Sequence, residues 1–182
     1  MDKCQKGFTL TEVIVVTAIV AILFGIAIPS YKYLTTSYRM SAEINNLVGD
    51  LQFARGEALK EGNGVTACIS SDGATCTGGG NWGVGWIVFS DVNSNAAVDL
   101  ATDRVLKVQA AFTGITPDTF NSGVAAVTFN REGFASTTAG FQTTTMTLTE
   151  STNNNTYKRC LLISPIGMLS SENHVSYPGS CP

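Results

Sequence analysis

Gly7-Phe8-Thr9-Leu10-Thr11-Glu12 opens onto an unbroken run of uncharged, mostly apolar residues from Val13 to Ile28. From Phe8 to Ile28 there are 21 residues, enough to cross the hydrocarbon core of a bilayer as one helix. Ahead of them Met1 to Gly7 forms a short polar leader, and its lysines, Lys3 and Lys6, orient the amino end toward the cytoplasm. Glu12 breaks the pattern. A carboxylate near the start of a membrane span is costly unless it reaches the surface or is paired, so its presence marks a functional residue.

Three explanations compete for this stretch. A plain membrane anchor accounts for the length and gives Glu12 no role. A secretory signal peptide cut after Gly25-Ile26-Ala27 accounts for the small residues. The third is a resemblance: Gly7-Phe8-Thr9-Leu10-Thr11-Glu12 resembles the cleavage motif of type IV pilins. That resemblance implies a prepilin peptidase cutting after Gly7 and methylating the new N-terminal Phe8. It also implies that Glu12 meets the N-terminal amine of a neighbouring subunit, so that two charges costly in lipid or a filament core neutralise one another.

Working outward, Pro29 is expected to kink the helix, and type IV pilins carry a proline at the matching place. Beyond it Met40, Ile44, Leu47, Val48, Leu51, Ala54 and Ala58 recur at steps of three and four, the apolar face of an amphipathic helix. Arg39, Glu43, Asp50, Glu57 and Lys60 are read as falling off that face, and Gly62 and Gly64 as ending the element. The expected division is therefore a leader over 1–7, a transmembrane or filament-core helix over 8–28, its amphipathic continuation over 29–61 and a β-rich head over 62–182.

In the head, strands are predicted over 65–70, 82–90, 104–110, 125–130, 143–150 and 156–164, separated by Gly, Ser, Asn and Asp. The fold class is α+β, with the long helix packed on the head. Leaving aside Cys4 of the leader, four cysteines remain: Cys68, Cys76, Cys160 and Cys181. Four allow three pairings; neighbourhood favours Cys68 with Cys76 and Cys160 with Cys181, and bridges imply an oxidising compartment. A zinc site is the competing reading, but the spacing is not C-x-x-C and His174 is the one histidine.

A narrower resemblance lies in two further stretches. Leu51-Gln52-Phe53-Ala54-Arg55-Gly56-Glu57-Ala58 is similar to an L-x-x-A-R-x-E-A segment, and Trp82 to Asn93 to a W-x-x-G-W-x-V-F-x-D-x-N segment, of the GspH/FimT/FimU subgroup of pilin-like proteins. The subgroup implies a minor pilin or a pseudopilin that primes or caps a filament. Its implied partners are other minor and major pilins, the prepilin peptidase and an inner-membrane assembly platform. The implied location is the inner membrane, with the head in the periplasm.

Other motifs carry less. Gly78, Gly80 and Gly83 spell G-x-G-x-x-G, but the segment after them reads as a strand where a dinucleotide site needs a helix, so no cofactor is expected. Asp91-Val92-Asn93-Ser94-Asn95 begins like a calcium loop, yet Ala96 and Thr102 stand where a glycine and a bidentate glutamate belong; a solvated Asx-turn is expected. No Ser/His/Asp set or carboxylate pair stands out, so no catalytic residue is expected. Some FimT-like proteins bind DNA through paired arginines after a glycine. Here the matching Gly167-Met168-Leu169-Ser170 has none, only Lys158 and Arg159 lie nearby, and the net charge is −3, so nucleic acid is not an expected partner.

Overall fold

The computed structural model describes residues 7–112 and 118–181; the leader, including Cys4, lies outside them apart from Gly7. The chain divides into two compact units between Tyr38 and Arg39.

In the first unit the described chain is helical from Leu10, where α1 (Leu10–Glu61) begins. Thr9 starts it: its hydroxyl accepts a hydrogen bond from the Glu12 amide at 3.3 Å, satisfying one of the donors that a helix start leaves over. Thr9 and Glu12 thus hold the spacing of a capping box, inside the very motif that resembles a pilin cleavage site. Thr17 returns its hydroxyl to the carbonyls of Val13 and Ile14, so the apolar stretch exposes no unmatched hydroxyl there. Pro29 lies inside α1, which continues through it. Lacking an amide hydrogen, Pro29 leaves the carbonyl of Gly25, four residues back, without its helical donor.

Among the described residues, the second unit holds the rest of α1 and nine strands. Met40, Ile44, Leu47, Leu51, Ala54 and Ala58 form one buried stripe of α1. The helix stops at Gly62, whose positive φ of 71° closes the last turn through a 3.0 Å bond from its amide to the Ala58 carbonyl. One antiparallel sheet contains β1 (Val65–Ile69), β2 (Gly85–Ser90), β3 (Arg104–Ala110), β5 (Ala126–Phe129) and β6 (Ala135–Thr137), in the order β3-β2-β1-β5-β6. The other contains β4 (Thr119–Ser122), β7 (Thr144–Thr149), β8 (Arg159–Ile163) and β9 (Leu169–Asn173), in the order β4-β7-β8-β9.

The helix stripe shares one core with both sheets, through Val65, Ala67, Ile69, Trp86, Val88 and Val127 of the first and Phe120, Met146, Leu148, Leu161 and Ile163 of the second. Alternation assigns the intervening residues of β1 and β2 to the other face of the first sheet. There Cys68, Ile87, Phe89 and Ala126 pack with Cys76, Ala96, Val98 and Val105. The loops after β1 and β2 therefore roof that face, and every residue of β1 and β2 is buried. β7 instead alternates buried and half-buried, as a strand with one covered face does.

Four expectations need correction. Asp50 does not leave the apolar stripe: it is 3% exposed, accepts the indole N–H of Trp86 at 2.9 Å and pairs with Lys107. Trp82 is not in a strand but opens a 3-10 turn, Trp82–Val84, capped by Asn81. Asp91 is fully buried, not solvated. The structure also has three strands that the sequence does not predict, β4, β6 and β9, which are short, polar and peripheral.

Candidate functional site

The N-terminal segment brings Phe8 and Glu12, four residues apart, onto one face of the helix start, where they line a shallow groove with Val13, Val16 and Thr17. Phe8 is 82% exposed, and every described residue from Gly7 to Leu34 is exposed in the isolated chain. Among the described residues no cation stands within ion-pair distance of Glu12. The segment is long and apolar enough to cross a membrane. What the chain presents here is an uncovered apolar rod with one carboxylate at its head.

The head is closed by its own side chains. Disulfides join Cys68 to Cys76 and Cys160 to Cys181, with Cα atoms 5.6 and 5.4 Å apart. The tryptophan-rich stretch turns out to be architectural. Trp82 donates its indole N–H to the Ser122 hydroxyl and the Val124 carbonyl, at 2.9 and 3.1 Å. Gly85, at φ 110°, lies against the carbonyls of Gln109 and Ser70, leaving no room for a Cβ. Asp91 accepts from the Thr66 hydroxyl and from the amides of Asn95 and Ala96, folding the roof loop over Phe89. The L-x-x-A-R-x-E-A segment serves likewise: Leu51, Ala54 and Ala58 are core, and Arg55 donates to the carbonyls of Gly133 and Ile166, tying two turns to α1.

One cluster was not singled out from the sequence. Arg39 holds Asp118 bidentately, Nε to Oδ2 at 2.9 Å and Nη2 to Oδ1 at 3.0 Å, and its Nε lies 3.9 Å from Glu43. One Glu43 oxygen is buried with no hydrogen-bond partner among the described residues. Burial, then the charge of Asp118 and a hydrogen bond that Glu43 can give Asp118 only when protonated, push the Glu43 carboxyl up to about 7, against the opposing pull of Arg39. The signal was Arg39 and Glu43 four apart; their third partner, Asp118, is 79 residues from Arg39.

The remaining motifs resolve simply. The Gly78–Gly83 loop leads into the 3-10 turn and β2, so no helix follows it to receive a phosphate. Asn93 and Asn95 both donate to Asp99, and among the described residues no three His, Cys, Asp or Glu side chains are placed to hold a metal. The His174 ring Nδ1 lies 2.6 Å from the Cys181 carbonyl, a packing role. The turn at Gly167 carries no cation of its own, and the guanidinium of Arg55 beside it is bonded to carbonyls.

The family model for type II transport protein GspH matches residues 43–167, which include both architectural stretches and both turns held by Arg55. The chain belongs to the GspH family. A second model, the prokaryotic N-terminal methylation motif, matches residues 2–28 of this GspH-family chain. It is similar to a fimbrial protein of Pseudomonas aeruginosa, 38% identical over 65 residues, 36% of this chain and 42% of that protein. It is also 38% identical over 98 residues to the type IV major fimbrial protein FimA of Dichelobacter nodosus, covering 53% of this chain and 57% of that one. The chain spans about half the length of these curated relatives. In fold it matches the type IV minor pilin FimU of Pseudomonas aeruginosa with a TM-score of 0.53 at 20% identity, over 85% of this chain and 98% of that one.

Proposed function

We propose that this GspH-family chain is a minor pilin of a type IV pilus, a structural subunit that primes or caps a filament and has no catalytic site. The observation carrying this reading is Glu12 at the head of an apolar helical segment whose described residues from Gly7 to Leu34 are all exposed. In this reading a prepilin peptidase cuts after Gly7 and the new amine of Phe8 is methylated. The subunit then waits in the inner membrane through residues 8–28, with the head in the periplasm, an oxidising compartment suited to its two disulfides. The assembly platform then draws it into contact with other minor and major pilins. There Glu12 meets a neighbour's terminal amine, and each charge relieves the other's desolvation. Pro29 and the carbonyl it frees give the rod a place to bend during that transfer.

Mass spectrometry of the mature protein tests the first step: the chain should start at methylated Phe8, and an intact Met1 or a start at Ile28 would defeat the assignment. Glu12→Ala should leave processing unchanged and lower filament incorporation at least tenfold in immunoblots of sheared filaments. A pseudopilin of a type II secretion filament is the second reading, favoured by the description of the matching family model. Deletion separates the two, since loss of twitching with secretion intact supports the pilus and the reverse supports the secretion filament.

A further inference from the structure

The N-terminal unit carries a second set of polar side chains beyond the apolar stretch. After Ile28, α1 passes Pro29 and Ser30 and reaches Tyr31, Lys32 and Tyr33. Tyr31 is 70% exposed, and Tyr33 is exposed as well. Lys32 is the first charged side chain after Glu12, because Val13 to Tyr31 contains none. On a helix, the steps from Glu12 to Lys32 span about 30 Å. That is the thickness of a bilayer's hydrocarbon core. The two charges therefore bracket the apolar stretch, each near one edge of the hydrocarbon.

Tyrosine suits that depth, since its ring is apolar and its hydroxyl needs a polar neighbour. Lysine reaches from there to phosphate along its flexible stem. Neighbouring helical residues differ by about 100°, so Tyr31 and Tyr33 point to nearly opposite sides with Lys32 between them. A protein docking on one face of the helix would meet only part of that set. A lipid annulus meets all of it. Tyr38 shares the face of Tyr31 but lies about 10 Å further along the axis, beyond the hydrocarbon.

We propose that Tyr31, Lys32 and Tyr33 form an anchor for phospholipid headgroups, Lys32 taking a phosphate and the phenol rings the ester layer. With Glu12 at the opposite interface, the anchor fixes the depth at which the subunit waits in the bilayer. The proposal rests on the membrane-spanning reading above.

The test uses the full chain in vesicles of phosphatidylethanolamine and phosphatidylglycerol, with some acyl chains brominated either near the headgroup or near the chain end. Trp82 and Trp86 are buried in the head and supply a constant background. Tyr31→Trp should be quenched at least twofold more strongly by shallow bromines than by deep ones. Ile22→Trp, midway between Glu12 and Lys32, should show the opposite order. Adding Lys32→Leu to Tyr31→Trp should release the anchor and move the quenching ratio about twofold toward the deep label. If Tyr31→Trp prefers deep bromines or ignores both while Ile22→Trp responds to deep ones, the helix spans the bilayer but the anchor is refuted. An unchanged ratio on adding Lys32→Leu also refutes it. If Ile22→Trp responds to neither label, the spanning reading falls and the anchor falls with it.

Discussion

The two units solve opposite problems with the same helix. From Arg39 onward, the buried aspartates find partners within the chain: Asp50 has Trp86 and Lys107, Asp91 has Thr66 and two amides, and Asp118 has Arg39. From Gly7 to Leu34 nothing is buried, and large apolar side chains such as Ile22, Phe24 and Ile26 are more than half exposed. A head that completes itself can fold before it meets anything. A rod that does not must be completed from outside, by lipid or by other subunits.

The sharpest way to break this contrast is to make one kind of deletion in both regions of the full chain, held in detergent, and follow head unfolding by tryptophan fluorescence. Trp86→Ala removes a fully buried indole that meets Phe112 edge-on at 5.7 Å, and should destabilise the head by about 4 kcal/mol. Phe24→Ala should change head unfolding by less than about 0.5 kcal/mol, as expected where no intrachain packing is lost. An equal loss from both would mean that the units are not energetically separate. Next come the disulfides. Replacing Cys160 and Cys181 by serine opens a loop of separation 21 and should cost about 3 kcal/mol; the same change at Cys68 and Cys76, separation 8, should cost about 2.5 kcal/mol. Denaturant titrations that reverse this order would contradict it.

Asp50→Ala leaves the Trp86 N–H unpaired in the core, at a cost of about 2 kcal/mol in the same titrations. The smallest expected effect is that of pH. Because Glu43 is raised from 4.5 to about 7 in the folded head, its protonation favours folding. That contribution is complete below pH 4.5 and is lost as pH rises through 7, a fall on the order of 1–2 kcal/mol after allowance for partial solvent access. Glu43→Gln should flatten the stability profile in this window. A wild-type profile that rises there would show that the carboxyl is ionised at the start.

Much of the architecture was open to reading because its signals are local. The stripe from Met40 to Ala58 repeats at helical steps, and β3 covers the run Arg104–Ala110 that its residue types predict as a strand. The losses have one cause, long-range partners. Asp50 looked like a surface charge because nothing near it in the chain announces Trp86 or Lys107, 36 and 57 residues away. Asp91 looked solvated because Thr66 approaches from β1. The strands β4, β6 and β9 are sheet edges of three to five residues, and their pairing lies in neighbours rather than in composition. At the amino end, Glu12 stands out as a carboxylate in an apolar run and Phe8 through the resemblance to a pilin cleavage motif; the tyrosines and lysine about 30 Å further along need the helix axis as a ruler.

The Cys160–Cys181 bridge has a mechanical side. A chain under tension lengthens by up to about 3.5 Å for each residue that unravels, and residues enclosed by a covalent link cannot contribute. With separations of 21 and 8, the two links withhold about 100 Å of extension from a pulled head. A head stitched in this way yields less slack under load, and reducing agent should return the missing length in a force–extension trace.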